Sequence, residues 1–187
     1  SDIVRENLGI IGGFKKLAEE MPKGPIVLLE NDLELIENKK ETFLQLQKSI
    51  NLLIKHRLIQ VRLRSRKNPG EPFVGLRKYK NYWSDNIISK TKRFLRPLKA
   101  RKLIGTSVYC LEKPEKIHDI IEKICNGFYL VPSSILTWAN LAILVDRDVY
   151  LEKIIKKAEQ TKSQKYINGF KNIEIELNNS WWRNNEF

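Results

Sequence analysis

The chain has 187 residues, 42% of them hydrophobic and 30% charged, and a formal net charge of +12. This composition supplies a core for one compact domain or two small ones and excludes a disordered chain. The longest apolar run, Ser133 to Val145, is interrupted by Thr137 and Asn140 and falls short of the roughly 20 residues that span a bilayer, so no membrane partner is expected.

In chain order, the apolar spacing of Ile3, Leu8, Ile11, Phe14, Leu17 and Ala18 predicts an amphipathic helix over 3–20. Met21 to Pro25 is a break. Ile26 to Leu29 reads either as the start of a strand or, with Leu33 and Ile36, as a short helix over about 28–39. Thr42 is the expected N-cap of a strong helix over 42–57, along which Phe43, Leu46, Ile50, Leu53 and Ile54 recur at helical spacing. From Ile59 to Arg66 the period changes to two, with Ile59, Val61 and Leu63 on one face and Gln60, Arg62, Arg64 and Arg66 on the other. Asn68 to Pro72 is a turn, and Phe73 to Tyr79 is the expected return strand of a hairpin.

The run Gln47 to Arg64, QKSINLLIKHRLIQVRLR, passes from an apolar helix through a short exit into a strand. It resembles the recognition helix and wing of winged-helix nucleic-acid-binding domains, over about residues 3–80. That resemblance implies helices at 3–20 and 28–39 before the recognition helix. Ser89 to Leu111 repeats the order, with a basic helix running through ARKLIG into a strand at 106–111. This raises a tandem arrangement, against which Pro97 counts. The expected fold class is therefore α+β, mainly helical with small β-hairpins and winged-helix-like. Residues 1–80 would form one domain and 81–187 a second, helical domain. Within the latter, Pro114 to Asn126, Ser134 to Leu144 and Val149 to Gln160 read as helices, with Gly127 as a helix stop. Asn172 to Leu177 reads as a strand, and Trp181-Trp182 is expected to dock on its own domain, the alternatives being an anchor for a partner or a stacking platform.

Charge is distributed unevenly. Residues 1–50 carry −2, residues 51–105 carry +14 from 16 basic and 2 acidic side chains, and residues 106–187 are neutral. A one-sided positive field attracts polyanions, so the expected function is nucleic-acid binding, DNA before RNA, in replication or transcription. Arg62, Arg64, Arg66, Lys67, Arg77, Lys78 and Lys80 are expected to follow phosphates from the hairpin, because the planar guanidinium fork suits phosphate oxygens. Lys90, Lys92, Arg93, Arg96, Lys99, Arg101 and Lys102 extend the surface. On the 42–57 helix, Lys48, Asn51 and Lys55 join it, with Gln45 and Asn51 as candidates for reading base edges. Tyr79, Tyr82 and Trp83 either stack on unpaired bases or fill the core, and the core reading is preferred.

Two other functions are weighed. One is a non-catalytic interaction subunit of a larger nucleic-acid-processing complex. The other is a metal-dependent nuclease or polymerase accessory domain, with carboxylates from Glu30, Asp32, Glu34 and Glu37 or from Glu174 and Glu176. Cys110, Cys125, His56 and His118 show no zinc-ligand spacing. No catalytic residue, metal or cofactor is therefore expected, and reduced thiols are preferred to a Cys110–Cys125 disulfide. Asp2 and Glu6 do not fit a signal peptide, so an intracellular setting, cytoplasm or nucleus, is expected.

Overall fold

The computed structural model describes residues 7–30, 33–70, 74–125, 127–163 and 166–185. In chain order its elements are α1 (Gly9–Glu20), β1 (Pro25–Leu28), α2 (Lys39–Lys55), β2 (Val61–Arg62), α3 (Val74–Trp83), α4 (Ile87–Leu95), α5 (Pro97–Arg101), β3 (Glu122–Cys125), β4 (Phe128–Leu130) and β5 (Ile143–Asp146). A helix over 147–160, a small hairpin (Tyr166–Ile167 with Phe170–Lys171) and the short helices Ile173–Leu177 and Ser180–Asn184 follow. The fold is mixed α+β with small antiparallel sheets. Among the described residues no helix is long and apolar enough to cross a membrane.

Contacts divide the chain into two compact units. The first takes the chain up to Leu63 and again from Ala139 to Asn179; the second takes Arg64 to Trp138 and the chain from Ser180 onward. The boundary expected after residue 80 thus falls within α3, inside the second unit.

The first unit is built on the antiparallel sheet β1-β5-β2, with β5 in the centre. Ile143, Leu144 and Val145 are all buried. A strand covered on both faces loses the apolar–polar alternation that marks a strand in sequence, which is why a helix was expected over 134–144. Only a single 3-10 turn, Ser133–Ile135, forms there before the strand. β1 settles the ambiguity at 26–29 as a strand, and the described residues 33–38 are not helical. Asp32 and the start of the first expected helix, Ile3, lie outside the described residues.

α2 is capped by Asn38, whose side chain accepts a hydrogen bond from the Glu41 amide at 3.0 Å, rather than by Thr42. It ends at Lys55, and beyond the C-cap His56 the backbone at Arg57 takes a left-handed φ of 50°. The Arg57 amide donates to Ile54 O and the Leu58 amide to Leu53 O, the bonding of a glycine-type helix stop with arginine in glycine's place. The helix-to-strand order read over 47–64 forms as α2 and β2. The expected hairpin does not form among the described residues: β2 pairs with β5, Leu63 N donates to Ala142 O, and the expected return strand is helical from Val74. Phe73 lies outside the described residues. Helix wins at α3 because Tyr79 and Tyr82, three residues apart, are both buried; a strand would point them to opposite faces.

In the second unit Val108, Tyr109, Ile121 and Ile135 form a core bordered by Ile104, Ile120, Tyr129 and Val131. The strand expected at 106–111 is a 3-10 turn, Ile104–Tyr109. A Cβ on Gly105 there would sit 2.7 Å from Ile135 O, so only glycine lets the two segments approach. The helix expected over 114–126 is a 3-10 turn, Pro114–Lys116, followed by the β3–β4 hairpin. Gly127, expected as a helix stop, instead turns that hairpin at φ 86°. The strand expected at 172–177 is the helix Ile173–Leu177, because Asn172 accepts from the Glu174 and Ile175 amides and caps it. Both cysteines are free and half-buried.

Arg66 belongs to this core rather than to a basic hairpin face. Its Nε donates to Val108 O at 2.6 Å and its Nη2 to Leu111 O at 2.8 Å, while the guanidinium lies 4.4 Å from the centre of the Tyr129 ring. Arg66→Ala leaves two carbonyls unmet and is expected to destabilise the second unit by about 2 kcal/mol. Arg66→Lys should restore little, because an ammonium cannot span both carbonyls as the fork does. Urea denaturation measures both; an unchanged midpoint for the alanine variant would place Arg66 back at the surface.

Candidate nucleic-acid interface

α3, α4 and α5 pack on one another. α4 is capped by Asn86, which accepts from the Ser89 amide at 2.8 Å. It ends at Leu95 because Pro97 opens α5. Three contacts hold the layer together. Ser89 Oγ donates to Asn81 O, Trp83 Nε1 to Ala100 O, and Arg93 Nη1 to Tyr82 O at 2.6 Å, with the guanidinium 5.1 Å from the centre of the Trp83 ring. Arg93 is therefore a brace between α3 and α4, and its charge is turned inward.

The remaining cations of this layer face outward. Arg77, Lys78 and Lys80 on α3, Lys90 and Lys92 on α4, Arg96 between the helices, and Lys99, Arg101 and Lys102 on and just after α5 are all exposed, as is Lys67. Lys99 Nζ lies 5.9 Å from the centre of the Tyr82 ring. Residues 74–105 hold ten basic side chains against one acidic, Asp85. The ion pairs Lys15–Glu159 and Arg147–Asp148 both lie in the first unit.

The other expected contacts separate from this set. Lys48, Asn51 and Lys55, with Gln45, are exposed on α2 in the first unit, beside the buried seam of Ser49, Leu52 and Leu53. Arg62 is half-buried in β2. Arg64 is half-buried, and its Nε donates to Pro69 O. The alternating row Arg62, Arg64, Arg66 is thus not one outward face.

Tyr79 and Tyr82 are buried, as the core reading expected. Tyr79 Oη lies 2.9 Å from His118 Nε2, and the imidazole meets the Trp83 ring edge-on at 4.6 Å. Burial holds the Tyr79 phenol protonated and pushes the His118 pKa below 6.5, a shift that Asp119 only partly opposes. Burial also pushes the Cys110 thiol up, away from nucleophilic use. Because the unfolded histidine binds a proton more readily than the folded one, the contribution of His118 to stability is expected to be constant well above pH 6.5 and to fall as the pH drops through it. The loss levels off once the folded His118 itself titrates. Urea midpoints for the wild type and His118→Gln across this range check it. The slope below pH 6.5 should shrink in the variant, and an equal slope would assign the loss to other groups.

Glu174 Oε1 accepts from the Asn140 amide at 3.1 Å and Glu176 accepts from the Ser163 hydroxyl, so both serve the fold. Among the described residues no three His, Cys, Asp or Glu side chains lie together as a metal ion would require. Compared with known protein families, curated proteins and solved structures, the chain matches none.

One feature of this surface was missed from the sequence. Ile87, Ile88, Phe94, Leu95 and Leu98 are 62–84% exposed among the cations of α4 and α5.

Proposed function

We propose that the chain binds nucleic acid, DNA before RNA, through the exposed cations of α3–α5 and acts without catalysis of its own in an intracellular assembly for replication or transcription. The observation that carries this is the basic excess of 74–105, ten cations against one acidic residue, with nine of the ten exposed. Like charges held this close on three short helices repel one another, and a polyanion offsets that repulsion by releasing its own counterions. The contacts are to phosphates, which supply affinity and orientation with little sequence information. Of the amide side chains considered for base reading, Gln45 and Asn51 stand on α2 in the first unit, so the phosphate surface is proposed without them.

Titration of the full chain against single- and double-stranded DNA and RNA of one length tests the proposal. Binding to at least one of the four at low salt is expected, with DNA the tighter. Absence of binding to all four would remove the proposal.

A further inference from the structure

α4 is amphipathic in the inverted sense. At about 100° per residue, Ile87, Ile88, Thr91, Phe94 and Leu95 fall within a stripe of about 120°, and Ser89 and Arg93 lie on the opposite side. The polar side is the one turned inward: Ser89 is buried and bonded to Asn81 O, and Arg93 to Tyr82 O and Ser84 O. The apolar side is open, with Ile87 at 75%, Phe94 at 84% and Leu95 at 69% exposure, and Leu98 of α5, at 75%, extends it past Pro97. Thr91 does not interrupt the stripe with an unmet hydroxyl, because its Oγ1 donates to Ile87 O at 3.0 Å. Lys90 flanks the stripe on one side and Lys92 on the other, and both are exposed.

We infer that this ridge is a docking surface for a partner protein whose apolar groove is rimmed by Asp and Glu. Large apolar side chains gathered on one exposed face mark a contact site. Within α4, spacing by seven and eight residues from Ile87 is that of a helix laid into a groove, and a helix already held by Ser89 and Arg93 loses little freedom on binding. The charge fixes the chemistry of the rim: the lysines on both flanks meet carboxylates favourably and repel a second copy of the same ridge. Nucleic acid does not account for the stripe, since four of its five large side chains are aliphatic and base stacking uses aromatic faces. A lipid surface is the competing occupant of an apolar stripe flanked by lysines, and vesicle binding is therefore one of the outcomes of the test.

Two synthetic helical peptides test this. Both carry the same leucine stripe; one has glutamates on the flanks and the other lysines. Fluorescence anisotropy with the full chain at about 0.15 M salt should show the glutamate peptide binding at least about tenfold tighter than the lysine peptide. Phe94→Asp with Leu98→Asp should weaken it by at least about tenfold, as expected when central anchors are lost. Phe94→Leu should bind like the wild type, and all variants should keep the wild-type melting temperature, since both positions are exposed. Equal binding of the two peptides, or no effect of the double variant, overturns the inference. So does a wild type that self-associates in sedimentation velocity, or that binds phosphatidylserine vesicles but not the glutamate peptide, if Phe94→Asp abolishes that behaviour.

Discussion

Trp182→Ala should destabilise the second unit by about 3–5 kcal/mol, the range for deleting a fully buried tryptophan. Trp182 is 2% exposed; its ring meets that of Trp138 edge-on at 5.2 Å, and its Nε1 donates to Leu136 O at 2.7 Å. The substitution removes apolar burial, an aromatic pair and a hydrogen bond together. It also frees the short Ser180–Asn184 helix from the segment it packs on, which Ser133 holds as well through its hydroxyl bond to Asn185 O. Trp182→Phe keeps most of the burial and loses the hydrogen bond, so a smaller loss of about 1–2 kcal/mol is expected. Urea denaturation followed by near-ultraviolet circular dichroism separates the two variants. A loss under about 1 kcal/mol for the alanine variant, below the usual range for a core aromatic, would mean that the C-terminal helix is not part of the second unit's core.

Replacing Lys78, Lys80, Arg101 and Lys102 together with Glu should lower affinity for duplex DNA by at least about a hundredfold at about 0.1 M salt. At that salt counterion release contributes up to roughly a factor of eight per phosphate contact relative to about 1 M, so the loss of four makes about a hundredfold the lower bound. All four side chains are exposed on, or just after, helices that pack together, so the melting temperature should change little. The same reversal at Lys153 and Lys156, which are exposed in the first unit, alters net charge without touching the proposed surface and should cost less than about threefold. Equal losses from the two sets would reduce the interaction to overall charge. No loss from the first set would take α3 and α5 out of the interface.

What the sequence disclosed was mostly local or compositional. The basic block is a matter of counting, and α1, α2 and the 147–160 helix follow from apolar spacing within each segment. Trp182 and the two buried tyrosines could be assigned to the core from size and polarity. What it hid was long-range. β5 has no strand signature of its own, because its successive residues Ile143, Leu144 and Val145 are all buried, and its pairing partners lie far off in sequence at residues 25–28 and 61–62. Arg66 looks like its neighbours Arg62 and Arg64 until the carbonyls of Val108 and Leu111, more than forty residues on, come within reach. Gly127 suits both a helix stop and a hairpin turn, and only the pairing of Lys123 with Tyr129 decides between them. The stripe on α4 has a clear helical period, but a period alone does not say which side faces the core. That choice depends on Ser89 and Arg93 finding carbonyl partners on α3 and just beyond it.

The salt dependence of binding tests the central claim most directly. If the cationic helices engage about 5–8 phosphates, the plot of log affinity for duplex DNA against log salt concentration should be linear with a slope of roughly −4 to −7. A slope near zero, with binding retained at high salt, would contradict an interface built on these lysines and arginines.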